Sequence, residues 1–325
     1  MTVVIINPMS GTGHTSPEAR GQQRAALARE VLDRLDVPYR ILLTERPGHG
    51  ALLARQVYDE GASLVCAWGG DGTMNEIASE LAFSEVPLGV IPGGSGNGFA
   101  RELGISLKPE RALIEAVQGA ERILDAGEIG GRLFFNVAGL GFDAHVARCF
   151  NERGKRRGFV AYLTTSLVEL FTYRAASYHI AVEDESFDRS ALMVVVANTA
   201  QYGNGARVAP QARPDDGHLD LVVVDPGTPL GNVWRARRLF DGSLPTSPGV
   251  MMREVEALNI RSTNGALWFH VDGEPVQGTR SLDVRVHPRA LRVRVPREAH
   301  VNGARAAEPP RSRLQHGGGR SLHPG

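Results

Sequence analysis

Four apolar, strand-like runs open this chain, and each leads into a loop able to approach a phosphate group. Residues 3–6 run into Asn7-Pro8-Met9-Ser10-Gly11-Thr12-Gly13, and residues 41–43 into Thr44. Residues 64–67 run into Gly69-Gly70-Asp71-Gly72-Thr73-Met74-Asn75-Glu76, and residues 88–91 into Pro92-Gly93-Gly94-Ser95-Gly96-Asn97. Between them lie helix-like stretches. Leu27, Val31, Leu32 and Leu35 recur at helical spacing after a Ser16-Pro17-Glu18 start, and Met74, Ile77, Ala78 and Leu81 share a face of a helix from Thr73. Strand–helix alternation predicts a parallel sheet covered on both faces. Ligands of open α/β sheets gather at the carboxyl ends of the strands. The four loops are therefore expected to converge on one edge.

From about Leu133 the pattern changes. Strand-like runs at residues 133–138, 179–182, 192–197, 219–224, 267–271, 282–286 and 291–295 are joined by Gly, Asp and Pro turns, which predicts an antiparallel β-rich domain. One helix, residues 159–173, interrupts it with Leu163, Leu167 and Leu170 aligned. The expected division is an α/β domain over 1–125, a β-rich domain over 126–298 and a Pro-, Arg- and Gly-rich disordered tail over 299–325.

Composition removes several classes. The chain has 325 residues, 36 basic and 36 acidic side chains and no formal net charge, so it has no global positive field for nucleic acid. Its two cysteines, Cys66 and Cys149, are too few for a disulfide framework or a cysteine-rich zinc site, and its ten histidines show no metal-ligand spacing. Cys66 and His270 read as packed residues. The N-terminus has no signal-peptide pattern, and no apolar run approaches the roughly 20 residues of a membrane span. A reduced, cytoplasmic setting is expected. Contact with the inner membrane face could come through Gly154-Lys155-Arg156-Arg157-Gly158 and the helix after it, or through Arg235-Ala236-Arg237-Arg238. A solvated loop and a core helix explain the same residues.

The glycines would let backbone N–H groups approach phosphate oxygens, and helix N-termini add favourable potential. Asp71 repels phosphate on its own; its natural use is to hold a magnesium ion that bridges phosphates. No Gly-Lys-Ser/Thr follows the loops, and strand one lacks Gly-x-Gly-x-x-Gly, which weakens a dinucleotide-binding reading. Asp272-Gly273 between apolar strands is by itself a hairpin signal, and Asp215-Asp216-Gly217 by itself a turn.

Taken together, Gly69-Gly70-Asp71-Gly72-Thr73 with Asn75-Glu76, Asn7-Pro8-x-Ser10-Gly11 and Pro92-x-Gly94-Ser95-x-Asn97 resemble the diacylglycerol kinase catalytic-domain family. That family includes bacterial diacylglycerol kinase-like lipid kinases and sphingosine kinases, with NAD kinases more distant. The resemblance continues through residues 135–143, Gly203-Asn204-Gly205, Ala209-Pro210, residues 215–220 and Asp272-Gly273-Glu274, and so spans about residues 3–296.

The resemblance implies an ATP-dependent, magnesium-dependent kinase acting on a lipid hydroxyl, of a diacylglycerol-like or sphingoid acceptor. It implies ATP contacts from Asn7, Pro8, Ser10, Thr44, Gly70, Asp71, Gly72, Thr73, Met74, Asn75, Glu76 and Ser95. Asp71 would act through catalytic magnesium, and Glu274 would be the general base. A second, structural magnesium would lie at the carbonyls of Arg213 and His218 and the Asp216 carboxylate, with Asp125 linked to that network. One departure is Gly98, where many members carry Asp after Gly-Thr-x-Asn; the Ser95-Gly96-Asn97 form looks more like sphingosine kinases. An NAD kinase, a non-catalytic nucleotide or lipid sensor, and a dinucleotide oxidoreductase remain as alternatives.

Overall fold

The computed structural model describes residues 1–11, 15–153, 159–263 and 265–297. Thr12 and Gly13, the Lys155-Arg156-Arg157 run and the 299–325 tail lie outside the described residues.

The first domain alternates as expected. Strands β1 (Thr2–Ile6), β2 (Tyr39–Leu43), β3 (Leu64–Gly69) and β4 (Leu88–Pro92) are parallel, in the order β2-β1-β3-β4. β1, β3 and β4 are buried along their whole length, which is why they read as continuous apolar runs. Helix α1 (Pro17–Arg34) starts where Ser16 Oγ accepts the Ala19 N–H at 3.2 Å, with Pro17 at its first position. Helix α3 (Asp71–Leu81) begins two residues before Thr73 and buries Met74, Ile77, Ala78 and Leu81 as expected. Helices α2 (His49–Asp59), α4 (Gly98–Glu102) and α5 (Pro109–Gln118) complete the domain.

The chain then builds β5 (Ala120–Ile129), β6 (Arg132–Phe134), β7 (Val137–Gly141), α6 (Phe142–Arg153), α7 (Phe159–Leu170), β8 (Ala176–Val182), β9 (Glu185–Ala191) and β10 (Met193–Ala197). A short hairpin, β11 (Gln201–Gly203) and β12 (Ala206–Arg207), precedes β13 (Leu219–Val224) and α8 (Pro229–Asp241). Strands β14 (Val250–Val255), β15 (Ala257–Ser262), β16 (Trp268–Val271), β17 (Glu274–Gln277) and β18 (Ser281–Val295) close the fold. An antiparallel sheet, β14-β13-β10-β7-β16-β17, faces the β8, β15 and β18 end of a ten-stranded sheet. Val194, Val196, Leu221 and Val223 point into that sandwich, while Val195, Ala197, Val222 and Val224 point to the opposite face, where Leu170, Leu244 and part of α8 cover them. The alternation between two cores explains the unbroken apolar runs.

Three readings of the sequence are corrected here. Residues 133–138 are two strands, because the N–H groups of Phe135, Asn136 and Val137 turn to the Asp272 carboxylate instead of a neighbouring strand. Residues 282–286 and 291–295 form one strand, β18, which passes Pro288 through a register shift between His287 and Leu291, with Arg289 at φ 56°. Among the described residues, three α-helices, not one, interrupt the β-rich part. The end of β18 pairs in parallel with β4 at Val293 and Leu88, and Leu291, Val293 and Val295 enter the first domain's core. The last strand therefore ties both halves together.

Candidate active site

The loops after β1, β3 and β4 meet at one edge. Asn7 Nδ2 donates to Thr73 Oγ1 at 2.8 Å, and the Gly93 N–H to Gly69 O at 2.7 Å. A Cβ built on Gly11 would lie 2.9 Å from Gly93 O, and one on Gly94 would lie 2.7 Å from the Gly70 Cα. Glycine is required at Gly94 because backbone, not a flexible side chain, occupies the space. Ser10 Oγ donates to Asn7 O at 2.9 Å. Thr44, buried after β2, reaches the same edge through its N–H to Ile6 O at 2.9 Å.

Arg24 of α1 holds the first and fourth loops together. Its guanidinium donates to Asn7 O and Ser10 Oγ at 2.7 Å each, to Ser10 O at 3.1 Å and to Gly93 O at 3.4 Å. Arg20 adds donors to Pro8 O and Ser10 O at 3.2 Å. Burial, with Arg20 beside it, brings the Arg24 pKa down to about 10. In the sequence neither arginine carries a signal of this role, because they are two polar positions on an amphipathic helix.

Residues 70–76 divide by task. Gly70 caps α3, Asp71 and Gly72 open its first turn, and Met74 packs into the core. Glu76 accepts the Gly48 and Gly50 N–H groups at 2.9 and 3.0 Å, so its carboxylate caps α2. Asn75 reaches across to the second domain, donating to Leu133 O at 3.0 Å and Asp272 Oδ2 at 2.7 Å. Asp71 accepts the Phe99 N–H at 3.4 Å. Burial, then the Asp272 charge, push its pKa up to about 6. In the fourth loop, Asn97, at φ 49°, exchanges two hydrogen bonds of 2.9 Å with Gly94. Ser95 O accepts Asn204 Nδ2 of the β11–β12 turn at 3.2 Å.

The opposing wall is the β16–β17 hairpin. Asp272 and Gly273 take φ values of 48° and 88° between the paired Val271 and Glu274, the two-residue turn that Asp-Gly encodes. The turn fixes more than a reversal. Asp272 accepts the N–H groups of Phe135, Asn136 and Val137 at 2.9 to 3.0 Å as well as Asn75 Nδ2. Burial still raises its pKa against those four donors. His270 is buried beside Asp143 with Nε2 to Oδ2 at 2.7 Å, and Tyr202 donates to the same carboxylate oxygen at 2.8 Å. Burial presses the imidazolium down, but the Asp143 charge and hydrogen bond outweigh it and raise the pKa. With Asp272 so anchored, Glu274 stands exposed at the start of β17. A Cβ added to Gly72 would come 2.9 Å from its Oε1.

Gly98 has a local reason to be glycine. A Cβ there would meet Tyr202 O at 2.4 Å and Asn136 Nδ2 at 2.7 Å, so an aspartate fits only if β11 moves away.

The segment with Arg213, Asp216 and His218 lodges elsewhere, against the β5–β18 irregularity. Asp125 accepts the Gly217 and Arg289 N–H groups, both at 2.7 Å, and its own N–H donates to Pro214 O at 2.7 Å. Asp216 Oδ1 accepts the His218 N–H at 3.1 Å, and Arg122 pairs with Asp215 at 2.6 Å. Asp125 is raised by burial and by Asp216 and Asp215; Asp220 is pushed up to about 6 by burial, Glu254 and Asp216. Such crowding of carboxylates suits a cation.

Two family models cover the chain: the diacylglycerol kinase catalytic domain over residues 1–129, and the YegS C-terminal NAD kinase beta sandwich-like domain over 136–295. A Pseudomonas aeruginosa protein named probable lipid kinase YegS-like is 33% identical over 301 residues, covering 92% of this chain and 96% of that one. A namesake from Chromohalobacter salexigens is 33% identical, covering 72% and 77%. A crystal structure of a diacylglycerol kinase from Bacillus anthracis superposes with a TM-score of 0.69 at 18% identity, over 92% of this chain and 97% of that one. An Archaeoglobus fulgidus NAD kinase in complex with ATP gives 0.53 at 14% identity, over 93% and 96%; these two likenesses concern the fold. The chain thus belongs to the YegS-like lipid kinase family, pairing a diacylglycerol kinase catalytic domain with a β-sandwich domain of NAD kinase type.

Proposed function

We propose that this chain transfers the γ-phosphate of ATP to the hydroxyl of a diacylglycerol-like or sphingoid lipid, with Glu274 as general base. The observation that carries the reading is the approach of Glu274 Oε1 to Gly72: the second domain's exposed carboxylate stands over the first domain's glycine loop. The backbone of residues 70–73 and 93–96, Asn7, Ser10, Thr44 and Ser95 would line the triphosphate, with Arg24 holding two loops in place. Asp71 is the residue to hold magnesium, which when bound neutralises charge on the phosphates. A carboxyl that its surroundings keep half-protonated near pH 6 fits such a partner. Glu274 would take the acceptor's hydroxyl proton, a contribution of about 10²–10⁴-fold. Asp272 keeps that base in register by clamping the turn before it. Asp216 with the carbonyls of Arg213 and His218 would hold a second magnesium away from the reacting atoms, bracing the β5–β18 irregularity through Asp125.

The acceptor would arrive over the helices. No described helix is long and apolar enough to cross a membrane. Yet Val168 and Phe171 at the end of α7, and Leu230 and Trp234 on the adjoining α8, are exposed, with Arg174, Arg237 and Arg238 nearby in sequence. Apolar side chains beside arginines suit the surface of an anionic bilayer. The β-sandwich's likeness to an NAD kinase keeps NAD as the second candidate acceptor. Incubation of the full chain with radiolabelled ATP, magnesium and a panel of diacylglycerol, monoacylglycerol, sphingosine, ceramide, phosphatidylglycerol and NAD tests both. Labelled lipid that vanishes with Glu274→Gln supports the proposal; labelled NAD alone, or no product at all, overturns it.

A further inference from the structure

Outside the cleft, α6 and α7 bring three metal-ligating side chains of different chemistry together. His145 and Cys149 lie four residues apart on α6 and so share a face, and Glu169 approaches them from α7. Their ligand atoms all fall within 4.8 Å of one another. Cys149 Sγ is 3.6 Å from His145 Nε2, and His145 Nε2 is 2.9 Å from Glu169 Oε2. A tetrahedral zinc ion with ordinary bond lengths sets an S–N edge of about 3.6 Å and an N–O edge of about 3.4 Å. The first edge already matches. The second needs the carboxylate to withdraw by about half an ångström as a direct hydrogen bond gives way to a bridging ion.

We propose that His145, Cys149 and Glu169 form a zinc site that clasps α6 to α7. Thiolate, imidazole and carboxylate together select zinc over magnesium, which takes oxygen ligands. Cysteine and histidine counts point away from such a site; the fold supplies the third ligand from a neighbouring helix. Three protein ligands leave a fourth position for water. Binding converts the Cys149 thiol to a thiolate and releases its proton to solvent. The Tyr173 ring, 5.2 Å from the His145 ring, restricts the imidazole from one side. The clasp would matter to the rest of the molecule because α6 packs against β16 and β17, the strands of the Glu274 hairpin, while α7 packs against α8.

Metal-free full-length protein titrated with cobalt(II) chloride tests this directly. The expected result is one equivalent bound, with thiolate-to-cobalt charge-transfer absorption and tetrahedral d–d bands that zinc chloride bleaches. Cys149→Ser should abolish the charge-transfer band and weaken zinc binding by about tenfold or more. His145→Gln and Glu169→Gln should weaken it comparably, and Cys66→Ser, in the buried core of the first domain, should leave the band unchanged. Near-ultraviolet circular dichroism confirms that each variant is folded. Absence of the band at saturating cobalt, or zinc affinity unchanged in folded Cys149→Ser, would overturn the site. Neither outcome depends on kinase activity.

Discussion

Gly72→Ala isolates the geometry on which the proposed chemistry depends. Gly72 sits in the first turn of α3 with an ordinary negative φ, so alanine is compatible with its backbone. On helix propensity alone the change is neutral or stabilising by up to about 1 kcal/mol. The new methyl would meet nothing rigid. Its nearest neighbours are Glu274 Oε1 at 2.9 Å, Cγ at 3.4 Å and Cδ at 3.5 Å, the far end of a flexible side chain. The carboxylate must therefore swing away by roughly 0.5–1 Å, and a misplacement of 1 Å at a reacting group can cost about 10²-fold. The expected variant melts at or slightly above the wild-type temperature and phosphorylates lipid about a hundred times more slowly. Melting curves and initial rates with radiolabelled ATP give both numbers. The decisive comparison is the double variant Gly72→Ala/Glu274→Gln: if the methyl acts by displacing the base, it adds nothing once the base is gone. A wild-type rate for Gly72→Ala, or a further large loss on the Glu274→Gln background, would refute the reasoning.

The same contacts support further expectations. Asp71 has a folded-state pKa of about 6 against an ordinary 3.8, so the stability it contributes is present below about pH 4 and lost as pH rises through about 6. That loss is at most about 3 kcal/mol; urea melts without divalent ions should show it in the wild type and not in Asp71→Asn, and magnesium should restore it near neutral pH. Asp272→Ala strands three buried N–H donors at about 1–3 kcal/mol each, so a loss of at least about 3 kcal/mol is expected in denaturant midpoints. Gly98→Ala forces a methyl against the Tyr202 carbonyl and should cost about 1–3 kcal/mol, whereas Gly131→Asn, at φ 79° with open space around it, should be tolerated.

Much of the first domain could be read from the chain because its strands are local and three of the four, β1, β3 and β4, are wholly buried, so apolarity alone marks those three. The Ser16-Pro17 start of α1 and the Asp272-Gly273 turn were legible for the same reason: their chemistry is complete within a few residues. What stayed hidden depends on distant partners. Residues 133–138 look like one strand until Asp272, more than a hundred residues later, takes three of the N–H groups. Pro288 looks like the end of a strand until β5 shows that the ladder resumes at Leu291. Arg24 is an unremarkable helical arginine until its guanidinium is seen among the carbonyls of two loops. Within residues 70–76, motif spacing could not separate side chains aimed at the cleft from those that cap α2 or latch the domains, as Glu76 and Asn75 do.

The hairpin that Asp272-Gly273 encodes is also what brings the Glu274 carboxylate to Gly72, so the turn and the proposed catalytic role are compatible. A two-residue turn with both central residues at positive φ leaves the next side chain little choice of direction. Here the turn is also anchored at its first residue. Asp272 is gripped by three N–H groups of the second domain and by Asn75 of α3, which begins at the glycine loop itself. One buried carboxylate thus sets the position of the hairpin and the seating of α3 together. Any movement between the domains must break or carry along the Asn75–Asp272 contact. The distance from Glu274 to Gly72 is consequently a property of the interface between the domains, fixed from beneath by Asp272, and the reactivity of Glu274 should follow the integrity of that contact more closely than any feature of the glutamate itself.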